Sequence, residues 1–159
     1  MKSLVGLALV FVFATVTSYG TAYGKGADLN SMIELLRSDI KTAKKEVITK
    51  AMQFTDEEAA AFWRVYSQYE FEATQIGDDM LALIKDYANN LQDMTDEKAK
   101  ELVKRSFDIE NKQLKLKKKY FKKIEKVLSP IKAAKFIQIE NQIRRAIEMQ
   151  ISATLPLIE

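Results

Sequence analysis

The sequence predicts an all-α protein of four helices, and three observations carry that prediction. Beyond residue 28, apolar residues recur at steps of three and four, and only Pro130 and Pro156 break the run. Three short stretches have the composition of a helix start: Phe54-Thr55-Asp56-Glu57-Glu58, Met94-Thr95-Asp96-Glu97 and Leu128-Ser129-Pro130. Glycine is nearly absent, with Gly26 and Gly77 the two that follow residue 24.

The first helix is expected over 29–52, with Met32, Leu36, Ile40, Ala43, Val47 and Ala51 on one face. The second, over 56–92, starts at Thr55 as N-cap. Glu58 three residues on completes a capping box, and Phe54 is placed to staple back onto Ala59. Phe62, Tyr66, Tyr69, Ala73, Ile76, Met80, Ile84, Tyr87 and Leu91 follow at steps averaging about 3.5, the spacing of a coiled coil. A helix of that length reaches about 55 Å, which points to an elongated long-helix hairpin or a paired assembly. Gly77 offers a bend in its middle.

The third helix, over 96–127, has Thr95 as N-cap and two acids in its first turn, where they favour the helix dipole. It carries two apolar stripes. Val103, Phe107, Leu114, Phe121, Ile124 and Leu128 are read as the main one, with Leu102, Ile109, Leu116 and Tyr120 beside it. The fourth, over 130–153, has Ser129 as N-cap and Pro130 at its first position. Phe136, Ile139, Ile143 and Ile147 continue it until Leu155-Pro156.

Residues 1–24 have a different character. Lys2 precedes an apolar run of 13 residues from Leu4 to Val16, followed by small residues at Ser18, Gly20, Ala22 and Gly24. That order is the layout of a cleaved export signal, with the cut near Gly20 to Gly24. A spanning anchor needs about 20 apolar residues, more than this run supplies. Export places residues 25–159, a single all-helical domain, in an extracytoplasmic compartment. Removing residues 1–24 takes away one positive charge, so a formal +3 becomes +2. That balance selects no polyanionic partner.

Composition excludes several chemistries. The chain has no histidine and no cysteine. Zinc, copper and haem sites thereby lose their usual ligands, and Ser–His and Cys–His nucleophile pairs cannot form. No glycine-rich phosphate loop is present. The paired acids Glu70/Glu72 and Asp78/Asp79 stand one or two residues apart, and such neighbours on a helix do not face one way. No catalytic residue, metal ligand or cofactor is therefore assigned, and the expectation is a binding protein that is not an enzyme.

Two of the helix starts go further. Phe54-Thr55-Asp56-Glu57-Glu58 and Leu128-Ser129-Pro130-Ile131-Lys132 resemble the paired LTxxQ motifs of the Spy/CpxP family of periplasmic proteins. The order is the same, with one motif opening a long helix and the other the last. The family's glutamine is Glu58 in the first motif and Lys132 in the second, and its leucine is Phe54 in the first. The resemblance covers about Asp28 to Glu148. It implies a thin, helical, cradle-like homodimer that holds unfolded or envelope proteins without ATP, or that serves in sensing envelope stress. The alternative it leaves is a regulatory or scaffold protein docked on the periplasmic domain of a membrane sensor. A metal sensor built from carboxylates and methionine is the weaker alternative, because the family's metal-binding branch works largely through histidine.

Two surfaces are candidates for contact with a client. Between Asp56 and Asp86 the second helix carries eight acids against Arg64 and Lys85. The third turns basic towards its end, with Lys115, Lys117, Lys118, Lys119, Lys122 and Lys123 the densest part. A basic patch attracts acidic unfolded chains over a distance, although charge runs also serve solubility and complement the negative end of a helix. Export argues against nucleic acid as partner, and an anionic membrane surface is a further option. Trp63 and Phe71 fall off the core stripe of the second helix, which leaves them free for a neighbouring helix or an exposed apolar groove.

Overall fold

A computed structural model describes residues 29–158, with the side chains of residues 38–158 apart from 150 and 154. The segment read as an export signal, residues 1–24, lies outside the described residues. Four helices run in order: α1 Leu29–Met52, α2 Asp56–Asn90, α3 Asp96–Ile124 and α4 Pro130–Thr154. No strand occurs among the described residues. The chain divides into two compact units, one made of α1 with Gln138–Leu155 and one made of Phe54–Ile137 with the C-terminal residues from Pro156.

In the first unit Ile48, Met52, Ile139 and Ile143 are buried. On α1 the buried residues lie one position beyond the expected stripe. Val47 and Ala51 are only half-buried, and the larger Ile48 and Met52 take the interior. Met32 and Leu36 are outside the described side chains. Glu140 is 5% exposed and accepts a hydrogen bond from Lys44 Nζ at 3.1 Å, so its buried charge has a cation. α1 ends at Gln53, whose φ of 49° lies in the left-handed region. Its N–H reaches Thr49 O at 3.4 Å, closing the last turn before the chain enters α2.

The second unit is built on three capped starts. Thr55 Oγ1 accepts from Glu58 N at 3.3 Å, and Glu58 Oε2 accepts from Thr55 N at 2.9 Å, so the capping box is complete. Thr95 Oγ1 accepts from Lys98 N at 3.2 Å, and Ser129 Oγ accepts from Lys132 N at 3.3 Å. The residue before each cap packs inward. Phe54 lies 4.7 Å from the Phe62 ring, Met94 packs on the Leu83–Leu102–Ile109 cluster, and Leu128 is buried. The staple on α2 thus closes on Phe62 through ring contact. α3 ends at Ile124, and the bonds from Val127 N and Leu128 N to Ile124 O wind the chain into a turn.

α2 and α3 pack antiparallel, in a register fixed by charge. Lys119 Nζ bonds Glu72 at 2.7 Å, Lys112 Nζ bonds Asp79 at 2.7 Å, and Arg105 pairs with Asp86. Each step of seven residues along α2 is matched by a step of seven back along α3. The stripe of α3 beside this ladder is the one that faces inward. Leu102, Ile109, Leu116 and Tyr120 are buried with Ile124, and Val103, Phe107 and Leu114 are exposed. The order of the two stripes expected from the sequence is thereby reversed over 102–120, while Ile124 and Leu128 of the expected main stripe are buried and Phe121 is half-buried. The inner stripe is the one next to the bases that α2's acids require, and a helix cannot turn both stripes inward. On α2, Phe62, Tyr66 and Tyr69 are buried as their spacing predicts, while Leu83 is buried where Ile84 was expected and Ile84 is half-buried.

Candidate functional site

The two motifs that carry the family resemblance meet. Thr55 and Ser129 cap α2 and α4, and Lys132 Nζ bonds Glu58 Oε2, so the two positions that depart from glutamine pair as opposite charges. The Lys132 ammonium, helped by the Thr55 N–H, holds the Glu58 carboxyl below the ordinary carboxylate range.

Beside this junction seven aromatic rings are gathered from α2, α3, α4 and the residue before α2. Phe62 meets Phe136 at 5.3 Å edge-on and Tyr66 at 5.6 Å stacked; Tyr69 meets Tyr120 at 5.3 Å and Phe136 at 5.7 Å, both edge-on. These are separations at which ring quadrupoles attract. Trp63, a candidate contact residue, belongs to this cluster. It is half-buried, with its ring edge-on to Phe62 at 5.1 Å and Tyr66 at 5.2 Å. Phe71 does not belong to it: half a helical turn from Phe62, it stands on the outer face of α2, 67% exposed.

The basic run divides by face. Lys119 holds Glu72, and Lys123 Nζ bonds Gln68 at 3.0 Å and sits 4.7 Å above the Tyr120 ring. These two lysines complete the packing of α3 on α2. Lys117 is half-buried. Lys115, Lys118 and Lys122 are exposed on the outer half of α3 and make no ion pair with any described residue. The six lysines read as one patch are therefore not one surface.

Several titrating groups along the ladder are displaced from their ordinary ranges. Tyr120 O–H donates to Glu72 Oε1 at 2.7 Å; burial, then the neighbouring carboxylate, push its phenol up to about 12. Lys119 and then Tyr120 hold Glu72 low, and Lys98 and Arg105 do the same for Asp86. At that end of the hairpin Lys98 and Arg105 also reach Glu101, at 3.0 Å and 3.2 Å.

Reading the basic stretch as one run missed the ladder. Its signal was present: Lys98, Arg105, Lys112 and Lys119 stand seven apart, as do Glu72, Asp79 and Asp86. Among the described residues no group of three or more histidine, cysteine, aspartate or glutamate side chains is placed to hold a metal ion. No described helix is long and apolar enough to cross a membrane. No family model, no curated protein and no solved structure matches this chain.

Proposed function

We propose that this chain is an extracytoplasmic binding protein of the Spy/CpxP type, acting as a homodimer to hold unfolded or stress-signalling envelope proteins without ATP. The observation that carries the reading is Phe71. Its aromatic ring, 67% exposed on the outer face of α2, is open to apolar segments of an unfolded chain. The signal-like start, the absence of histidine and cysteine, and the two motif-like helix starts support the same reading over catalysis.

The test is suppression of client aggregation by the purified protein, without nucleotide. Wild-type protein is expected to keep an unfolding client soluble at near-stoichiometric amounts, and Phe71→Ser to lose most of that effect with unchanged helicity. No suppression by the wild type sinks the reading. Co-purification of one stoichiometric membrane partner in place of many weak clients would favour the regulatory alternative. Light scattering coupled to gel filtration tests the dimer directly.

A further inference from the structure

The outer face of α3 is apolar along its centre and basic along one edge. Val103, Phe107 and Leu114 are 52%, 59% and 47% exposed and, at 100° per residue, fall within about 40° of one another. Lys100, Lys104, Lys115, Lys118 and Lys122 are all exposed and all lie to one side of Phe107, within about 80° of it. None of the five belongs to the ladder, whose bases point to α2. Between Lys100 and Lys122 the acids outside the ladder are Asp108 and Glu110.

We propose that this face docks on an anionic bilayer, with the three apolar side chains entering the headgroup region and the five lysines bonding lipid phosphates. The charge of the edge argues for an anionic occupant. Its layout argues for a planar one. The lysines extend over about 33 Å along a single side of one helix, and a plane can touch all of them at once. A bilayer also offers apolar depth directly beneath its charged layer, which matches the apolar stripe running beside the lysines. A second copy fits less well. Antiparallel pairing through this stripe sets lysine edge against lysine edge, and parallel pairing sets the two basic C-terminal halves side by side. The inference is independent of client holding: α3 would rest on the membrane while Phe71, on the outer face of α2, stays open.

Co-sedimentation of the full chain with vesicles of phosphatidylglycerol and phosphatidylcholine, compared with phosphatidylcholine alone, tests it. Binding is expected only with the anionic lipid and is expected to weaken as salt rises. Each outer lysine contributes about fivefold, so Lys118→Gln/Lys122→Gln should weaken binding about thirtyfold. Lys112→Gln/Lys119→Gln removes the same net charge from the ladder and should weaken it less than fivefold. Phe107→Ser should weaken it at both low and high salt. Circular dichroism of each variant confirms the fold. Equal loss in the two lysine pairs would mean that net charge alone is read, and would overturn the proposal. So would equal binding to both vesicle types by the chain that begins at residue 25, which lacks the apolar run at Leu4–Val16.

Discussion

The two ends of the α2–α3 hairpin solve the same packing problem differently. At the end near Phe54, α3 and the first turns of α4 both close on α2, and Phe62, Tyr66, Tyr120 and Phe136 are buried to 1% exposure or less. At the other end Leu83, Leu102 and Ile109 form the core, backed by half-buried Ile76, Met80, Tyr87 and Met94. There the charged group of Asp86, Lys98, Glu101 and Arg105 lines the seam. Three packed elements can enclose large rings. The far end holds smaller, mostly aliphatic side chains whose buried members keep 3% to 8% exposure, and ion pairs line its seam. The aromatic end therefore supplies stability, and the charged end supplies alignment.

The largest effect should come from the rings. Phe62→Ala is expected to cost about 3–5 kcal/mol in urea unfolding, because it opens a cavity at a site with no exposure. Leu83→Ala, in the thinner core, should cost about 2–3 kcal/mol. Equal losses would break the contrast between the two ends.

Tyr120→Phe removes one hydrogen bond to a carboxylate and should cost about 1–2 kcal/mol at neutral pH. The phenol titrates at about 12 in the fold, above its ordinary 10. Its stabilising contribution is thus complete below pH 10 and disappears as pH rises through 12. A spectrophotometric titration should show a late phenolate that the variant lacks.

Gly77→Ala probes the helix between the two ends. A Cβ there meets nothing within 4 Å, so the substitution should stabilise by about 0.5–1 kcal/mol through helix propensity. The smallest effect belongs to the ion pairs along the seam. Glu72 and Asp86 have lowered pKa values, so what they contribute is present above the ordinary carboxylate range and is lost as pH falls through the lowered values. Asp86→Asn should flatten the fall of melting temperature below about pH 4, and added salt should mimic it.

Much of the fold is legible residue by residue. The three caps are encoded locally, since Thr55, Thr95 and Ser129 each bond the backbone three residues on. The stripe of α2 was readable because large rings recur there with little competition. That of α3 was not, because Phe107 and Ile109 are both apolar and periodicity alone does not say which of two stripes meets the neighbour. The candidate site divides the same way. Trp63 and Phe71 share an off-stripe position in the sequence, yet one is gathered into the ring cluster and the other is left in solvent.

Residue types and their spacing are enough to give the helices, their starts, the absence of thiol and imidazole chemistry, and the opposite charges of α2 and α3. Each follows from residue type and spacing within a few turns of chain. Packing between helices sets which stripe of α3 is core, which lysines are taken up by Glu72 and Asp79, and that Glu58 and Lys132, 74 positions apart, become partners. Those outcomes depend on the register between helices, where apolar burial and ion pairing must be satisfied together, and no local pattern carries that information.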